Sequence, residues 1–126
     1  MQTDKIQFSV VIPTYNPDFK IFETLKTVKK SILYFQKQSE ITYEILIIND
    51  GGKKIDKQII EIVENSRILD LKKNRGVGYA REVGTRISKY NKIFFLDSDV
   101  IIDDNFFHSL YEDFFKYLTL EAMFQV

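Results

Sequence analysis

Cysteine is absent from this sequence, so neither a disulfide nor a thiolate metal site can form within the chain. An excess of charge of either sign is also absent. The 18 Lys and Arg residues balance 18 Asp and Glu residues, which gives no basis for binding nucleic acid or an anionic membrane surface. No apolar run approaches the roughly 18 residues that a membrane-spanning helix requires, and the first residues lack the basic-then-apolar order of a signal peptide. These absences predict a cytoplasmic protein with no transmembrane segment in this chain and no nucleic-acid partner.

What is present is the composition of a folded globular domain. Hydrophobic residues make up 44% of the 126 positions and aromatic residues 14%, which is enough to build a buried core. No linker, internal repeat or low-complexity tract divides the chain. The sequence therefore predicts a single domain over residues 1–126.

Strand-like and helix-like patterns alternate along the chain. Short β-rich apolar runs predict buried strands at residues 8–12, 43–48, 67–71 and 92–96, the third of them near a sheet edge. After each run, apolar residues at helical spacing predict helices, which begin near residues 17, 55, 77 and 104. Four such alternations are typical of an α/β fold with a mostly parallel sheet and helices on both faces.

Several positions carry more specific expectations. Pro13 is expected to end the first strand, and Asn16 to cap the first helix with Pro17 at its first position. Strand 92–96 is expected to be buried on both faces, because its apolar residues are consecutive. Gly84 lies inside the third helix, where glycine is unfavourable, so it indicates a close backbone contact with the sheet or with a ligand.

Polar clusters follow all four predicted strands. They are residues 14–16, 49–52, 73–76 and 97–99. In an open parallel sheet, ligands bind beyond the carboxyl ends of the strands, where the strand order reverses. Ordinary turns do not explain four such clusters at four strand ends, although Asp97-Ser98-Asp99 alone is equally typical of a turn. Together the clusters predict a binding site at this edge of the sheet.

The residue types in these clusters point to an anionic ligand held with a cation. The acids are Asp50, Asp97 and Asp99, the bases are Lys73, Arg75 and Arg81, and the aromatic residue is Tyr15. Carboxylates with few other protein ligands suit Mg²⁺ or Mn²⁺, which complete their shells with phosphate oxygens and water. An arginine adds a forked donor for a diphosphate. The set therefore favours a nucleoside-diphosphate site.

Competing motifs are incomplete. The run from Gly76 resembles a dinucleotide fingerprint, but Arg81 stands in the place of the third glycine and the run follows the third strand instead of the first. No G-K-[ST] sequence of a P-loop occurs. The single histidine, His108, lies beside phenylalanines in a predicted helix, so packing explains it better than catalysis.

The ordered motifs resemble those of family 2 glycosyltransferases. They are SVVIPTYN at 9–16, IINDGG at 47–52, NRGVGYAR at 74–81 and FLDSD at 95–99. The resemblance runs from about residue 8 to 118 and implies the Rossmann-like, nucleotide-binding half of a GT-A fold. It also implies inverting transfer of a sugar from a nucleotide-sugar donor, typically a UDP-sugar, with Mn²⁺ or Mg²⁺ as the cofactor.

The same resemblance implies roles for individual residues. Pro13, Thr14 and Tyr15 would line the base pocket, and Asp50 would bind the base. Asp97 and Asp99 would serve the metal. The full set implied for the nucleotide sugar is Pro13, Thr14, Tyr15, Asn16, Asp50, Gly51, Gly76, Arg81, Asp97 and Ser98. Two positions depart from the family pattern, namely Gly52, where Ser is more frequent, and Glu82, where Asn is frequent.

The C-terminal part of the sequence is short for a complete enzyme of this kind. Family members carry the acceptor-binding half and the general base well downstream of the D-x-D motif, whereas this chain ends at Val126. Asp103 and Asp104 are better interpreted as caps of the fourth helix, so no catalytic base is assigned. Residues 121–126 have the pattern of a fifth strand. The expectation is a truncated, donor-binding half that is inactive or weakly active alone.

Two alternatives remain open at this stage. One is a nucleotidyltransferase-like nucleotide-sugar enzyme on a similar sheet, although that would require a glycine-rich basic loop after the first strand. The other is a non-catalytic interaction module that forms a homo-oligomer through the terminal edge strand. For the leading hypothesis, the acceptor is an unknown saccharide, lipid or protein in cell-envelope polysaccharide synthesis. The full-length protein is then expected in the cytoplasm or peripherally at the inner face of the membrane.

Overall fold

The computed structural model describes residues 5–115, which form one parallel sheet with helices on both faces. The strands are β1 (Ile6–Thr14), β2 (Ile41–Asn49), β3 (Ser66–Asp70) and β4 (Ile93–Phe95). The helices are α1 (Lys20–Gln38), a 3₁₀ helix (Lys57–Glu61), α2 (Val77–Ile87) and α3 (Phe106–Leu110), which continues into a π-helical turn (Tyr111–Phe115). The predicted α/β class is confirmed.

The strand order in the sheet is β3-β2-β1-β4, and every pair is parallel. β1 and β2 pair along their whole lengths, from Ile6 opposite Ile41 to Thr14 opposite Asn49. β3 lies at an edge, as the sequence predicted. The chain runs outward from β1 to β3 and then returns to the other side of β1 as β4. The order therefore reverses between β1 and β4, and parallel sheets of this type bind ligands at such a point.

Two apolar layers hold the helices against the sheet. α1 and α3 cover one face, and the predicted stripe on α1 is buried against it: Ile21, Leu25, Val28 and Ile32. α2 covers the other face, where Ala80 packs with Val11, Leu46 and Ile48. Full burial of a side chain such as Leu25 contributes about 1.5–3 kcal/mol. The sheet therefore lies between two layers of helices, and the loops at the carboxyl ends of its strands are available to form a site.

Pro13 does not end β1, contrary to the sequence prediction, because the strand continues through Thr14. Alternate residues of a parallel strand direct their N–H and C=O groups to opposite neighbours. Thr14 faces β2, since its carbonyl accepts a hydrogen bond from the Asp50 N–H at 2.8 Å. Pro13 therefore faces the β4 side, where pairing stops at Val11 opposite Phe95. A missing N–H at that position removes no sheet hydrogen bond.

The start of α1 also differs from the prediction. The helix begins at Lys20, not at Pro17, and the backbone N–H of Lys20 donates a hydrogen bond to Asp18 Oδ1 at 2.9 Å. Asn16 does not cap it. Asn16 instead adopts a left-handed backbone conformation with φ of 45°, which asparagine tolerates better than most residues. This conformation turns the β1–α1 loop toward the loop that follows β2.

Three smaller differences concern the remaining elements. The second predicted helix is reduced to the 3₁₀ turn, capped by Asp56. β4 is not buried on both faces, since Phe94 is 6% exposed but Phe95 is 47% exposed. Within residues 5–115, β4 is an edge strand, and Phe95 projects from the same sheet face as Val11, its partner on β1. The residue before α3 is Asn105, so neither of the two predicted aspartate caps is used.

Gly84 confirms the expectation of a close approach to the sheet. A Cβ at this position would overlap the Cγ1 atom of Val11 on β1. The missing side chain therefore lets α2 lie directly on the central strand.

Among residues 5–115, no helix is both long and apolar enough to cross a bilayer. The predicted fifth strand at 121–126 lies outside the described residues.

Candidate active site

A cleft of about 430 Å³ opens at the carboxyl ends of β1 and β4, at the point where the strand order reverses. It is lined by Pro13, Thr14, Tyr15, Asn16, Pro17, Asp18, Lys20, Ile21, Asp50, Val77, Asp97, Ser98 and Asp99. Three of the four predicted polar clusters thus contribute to one cavity. The fourth cluster, residues 73–76, contacts it through Asp50.

Ser98 ties the D-x-D segment to β1 and α1. The hydroxyl of Thr14 donates to Ser98 Oγ at 2.9 Å, and the hydroxyl of Thr24 donates to the Ser98 carbonyl at 3.0 Å. Ser98 and Asp99 form a turn, so the backbone is not extended here. Asp97 and Asp99 nevertheless both line the cleft. The segment is therefore a turn and also presents two carboxylates to one cavity.

Asp50 is buried, with 3% of its surface exposed, and its carboxylate holds the loop that leads into α2. Oδ1 accepts the Arg75 backbone N–H at 2.9 Å, and Oδ2 accepts the Gly76 N–H at 2.8 Å. Gly51 permits this approach, since a Cβ there would lie 2.5 Å from the Asn74 nitrogen. Each carboxylate oxygen has two acceptor sites, so Asp50 can also accept a hydrogen bond from a ligand in the cleft.

Asn16 connects the loops after β1 and β2. Its Oδ1 atom accepts the Lys53 backbone N–H at 2.8 Å. Gly52 has a φ of +78°, and a Cβ at this position would overlap Asn16 Oδ1. The glycine at position 52 is therefore matched to the position of the Asn16 side chain.

Arg81 connects α2 with the D-x-D segment. Its Nη2 atom lies 3.6 Å from Asp97 Oδ1, in a pair whose side chains are 43% and 61% exposed. Arg81 Nε is buried and has no hydrogen-bond partner among the described residues. The arginine thus keeps donor capacity beyond its contact with Asp97. Arg75 lies elsewhere, with its guanidinium 5.2 Å from the centre of the Tyr79 ring.

These contacts join all four loops around the cleft. The pairs are Asn16 with Lys53, Asp50 with Arg75 and Gly76, Arg81 with Asp97, and Thr14 with Ser98. The ring passes from the β1 loop through the β2 and β3 loops and α2 to the β4 loop, then back to β1. Polar contacts between loops therefore help to fix the relative positions of the cleft residues.

The predicted site residues fall into two groups. Eight of them line the cleft directly: Pro13, Thr14, Tyr15, Asn16, Asp50, Asp97, Ser98 and Asp99. Gly51, Gly76 and Arg81 do not line it and contact residues around it. Lys73 and Arg75, considered as bases for the site, are not part of the lining.

Sequence reasoning did not assign Asp18, Lys20 or Val77 to the site, although all three line the cleft. Val77 is the first residue of α2, and Lys20 is the first residue of α1. The available signal was their position at helix starts that directly follow polar strand-end loops. Of the β1–α1 loop, only the residues up to Asn16 were assigned to the site from the sequence, and the residues after them were treated as the start of α1.

The two residues predicted as metal ligands, Asp97 and Asp99, offer oxygen donors only. Within residues 5–115, no group of three or more Asp, Glu or His side chains lies close enough to hold a metal ion. Asp97 and Asp99 are therefore insufficient as a complete site, but two carboxylates fit a hard divalent ion whose other ligands are phosphate oxygens and water. The donor chemistry agrees with Mg²⁺ or Mn²⁺ bound together with a phosphorylated ligand.

The fold and the position of the cleft define the class of protein. It is an α/β domain with a cleft at the switch point of a parallel sheet, where such domains bind ligands. The family model described as glycosyl transferase family 2 matches residues 9–119, which include every cleft residue named above. The chain therefore belongs to glycosyltransferase family 2.

Characterised relatives and solved structures agree with this assignment. The poly-β-1,6-N-acetyl-D-glucosamine synthase of Staphylococcus epidermidis is 34% identical over 118 residues, covering 91% of this chain and 27% of the relative. The poly(ribitol-phosphate) β-N-acetylglucosaminyltransferase TarP of Staphylococcus aureus is 33% identical over 110 residues, covering 82% and 31%. A crystal structure of S. aureus TarS 1-349 superposes with a TM-score of 0.67 at 25% identity, covering 90% and 32%. The chain spans about a third or less of the curated relatives it matches.

Proposed function

We propose that this chain is the donor-binding part of an inverting glycosyltransferase that uses a UDP-sugar and a divalent metal. The observation that carries the proposal is the convergence of Thr14, Asp50, Asp97 and Asp99 on one cleft at the switch point of the sheet, in a chain of glycosyltransferase family 2. A cleft of about 430 Å³ is also in the range of small-molecule sites.

The cleft offers different chemistry at its two ends. Pro13 and Tyr15, at the end of β1, provide an apolar and aromatic surface for the base, and the Asp50 carboxylate provides an acceptor for a base N–H. Asp97 and Asp99, at the end of β4, would hold Mg²⁺ or Mn²⁺, which stabilises negative charge on a departing diphosphate when bound. Arg81 supplies a further positive charge beside Asp97. This order of groups matches a nucleotide sugar lying from β1 toward β4.

The transfer step requires an acceptor as well as this donor. In inverting transfer, an acceptor oxygen forms a bond to the anomeric carbon while the bond from that carbon to the diphosphate breaks. The electron pair leaves with the nucleoside diphosphate, and the proton of the acceptor hydroxyl passes to a general base. We assign that base to no residue of this chain, so catalysis by the chain alone is not expected to be efficient.

The names of two relatives support a β-linked product. Both the S. epidermidis synthase and TarP of S. aureus are named for β-linked N-acetylglucosamine. UDP-N-acetylglucosamine is therefore the first donor to test, and an envelope polysaccharide is the acceptor class to test first. A cytoplasmic site of action, peripheral to the membrane in the full-length protein, remains part of the proposal.

Calorimetric titration of UDP, with Mn²⁺ and then with EDTA, tests the donor site. We expect roughly stoichiometric binding that requires the metal and weakens at least about tenfold in Asp99→Ala, because one ligand charge is lost. Asp104→Ala is the matched control, since Asp104 is an exposed acid of the same segment that does not line the cleft. Equal affinity of the wild type and Asp99→Ala would count against the proposed metal site. No binding of UDP, GDP or dTDP by the wild type would contradict the function.

The two alternatives from the sequence have less support. Membership of glycosyltransferase family 2 disfavours a nucleotidyltransferase. An interaction module was motivated by residues 121–126, which are not among the described residues. Light scattering across a range of concentrations tests the predicted homo-oligomer, and a monomer at every concentration would remove the reason for that hypothesis.

A further inference from the structure

The charged residues that line the cleft are strongly unequal in sign. Four of them are aspartates: Asp18, Asp50, Asp97 and Asp99. The remaining one is Lys20, the single cationic side chain in the lining among the described residues. A cleft with this balance repels a diphosphate unless cations compensate for its carboxylates. Lys20 is therefore the lining residue whose charge differs from all the others.

Lys20 is placed on the side of the cleft nearest the D-x-D segment. It is the first residue of α1, and Thr24 follows one turn later on the same helix face. Thr24 donates its hydroxyl to the Ser98 carbonyl at 3.0 Å, so this face of α1 is turned toward Ser98. Helical side chains lean toward the N-terminus of their helix, which agrees with the place of Lys20 in the cleft lining.

No structural role accounts for a lysine at this position. Among residues 5–115, Lys20 forms no ion pair, and the Asp18 carboxylate accepts the backbone N–H of Lys20. A positive charge at a helix N-terminus is unfavourable, because it opposes the helix macrodipole. Arg81, which does not line the cleft, lies 3.6 Å from Asp97. Lys20 thus carries an unpaired charge where the helix itself disfavours one.

We propose that the Lys20 ammonium group binds the diphosphate of the donor from the α1 side of the cleft. This inference rests on the proposed function, and it adds a donor-binding residue to that function. Lysine is a point-charge donor suited to phosphate oxygens. Lys20 would act from α1 beside the cation held by Asp97 and Asp99, so that two sources of positive charge meet the diphosphate. The nucleoside, bound near β1 and Asp50, does not require it.

The test compares ligands with and without phosphate. We expect Lys20→Ala to bind UDP with Mn²⁺ about tenfold more weakly than the wild type, the effect of losing a charged hydrogen bond. Uridine binding, followed by NMR chemical-shift titration, should change less than about twofold. Lys20→Arg should recover most of the UDP affinity. Lys29→Ala is the control, since Lys29 is an exposed lysine of the same helix outside the cleft.

A structural role for Lys20 predicts a different pattern. If Lys20 stabilised the fold, Lys20→Ala would unfold at a lower temperature than the wild type. We expect the same or a higher unfolding temperature, because the lysine charge opposes the helix dipole. Equal UDP affinity of Lys20→Ala and a binding-competent wild type would overturn the inference and leave the proposed function intact. Equal weakening for uridine and UDP would also overturn it. A wild type that binds no nucleotide would reject the proposed function, and this inference with it.

Discussion

Replacing Asp50 by Asn tests whether this buried carboxylate holds the loop between β3 and α2. The carboxylate accepts two backbone N–H groups, at 2.9 Å from Arg75 and 2.8 Å from Gly76. An asparagine side chain has one acceptor oxygen, so its NH₂ group would face one of these N–H donors. One charged hydrogen bond is then lost, and the other becomes a neutral one.

The size of the effect follows from these two bonds. Hydrogen bonds to charged groups contribute about 1.5–3 kcal/mol each, against about 0.5–1.5 kcal/mol for neutral ones. The loss is offset in part because the buried negative charge, with its desolvation penalty, is also removed. We therefore expect Asp50→Asn to lower the free energy of unfolding by about 2 kcal/mol. For a domain of this length, that corresponds to a Tm lower by about 7 °C.

Urea denaturation and thermal melting measure the loss, and amide hydrogen exchange locates it. The exchange of the Arg75 and Gly76 amides should accelerate more than that of the β1 and β2 core. Asp70→Asn is the matched control at the same edge of the sheet. Asp70 is exposed and accepts one hydrogen bond, from the Asn49 side chain at 2.8 Å, which an asparagine carbonyl can retain. Its unfolding free energy should change by less than about 0.5 kcal/mol. If Asp50→Asn also left the free energy of unfolding unchanged, and the Arg75 and Gly76 amides stayed protected from exchange, then the Asp50 carboxylate would not be what holds the loop.

Two glycine substitutions test close contacts at the site and beneath it. Gly52→Ala places a side chain at a φ of +78° and against Asn16 Oδ1, so we expect a loss of about 1–2 kcal/mol in urea unfolding. Adding Asn16→Gly should recover part of it, and no recovery would refute the overlap. Gly84→Ala should destabilise by about 1–3 kcal/mol although alanine favours helices, because its Cβ meets the Val11 side chain. A thermal melt showing a stabilised Gly84→Ala would contradict the close packing of α2.

The sheet and its main helix were predictable because they depend on local periodicity. The consecutive apolar residues of β2 and the spacing of Ile21, Leu25 and Val28 on α1 report burial directly. The position of the cleft followed for a related reason. In a parallel sheet, every strand ends at the same edge, so polar residues after each strand must converge there.

The details that failed depend on contacts between distant parts of the chain. Asn16 was expected to cap α1, yet its side chain binds the Lys53 backbone in another loop, and its φ of 45° suits that contact. Phe95 was expected to be buried, but its exposure depends on how far the elements that cover this face of the sheet extend over β4. Neither the contact of Asn16 nor the exposure of Phe95 can be predicted from the local sequence pattern. The role proposed for Lys20 was missed for the same reason, since it depends on how α1 lies against the loop that follows β4.

The contacts that join the loops around the cleft differ widely in strength. The two hydrogen bonds to buried Asp50 are the strongest, and the neutral bonds of Asn16 and Thr14 contribute about 0.5–1.5 kcal/mol each. The pair of Arg81 with Asp97 is exposed and 3.6 Å long, so it contributes about 0–1 kcal/mol and weakens with salt. The weakest contact in the ring is therefore the one between the two residues proposed to meet the metal and the diphosphate. Arg81 and Asp97 can therefore give up their contact with each other and bind a ligand at little cost in free energy. The stronger contacts keep the rest of the cleft in place.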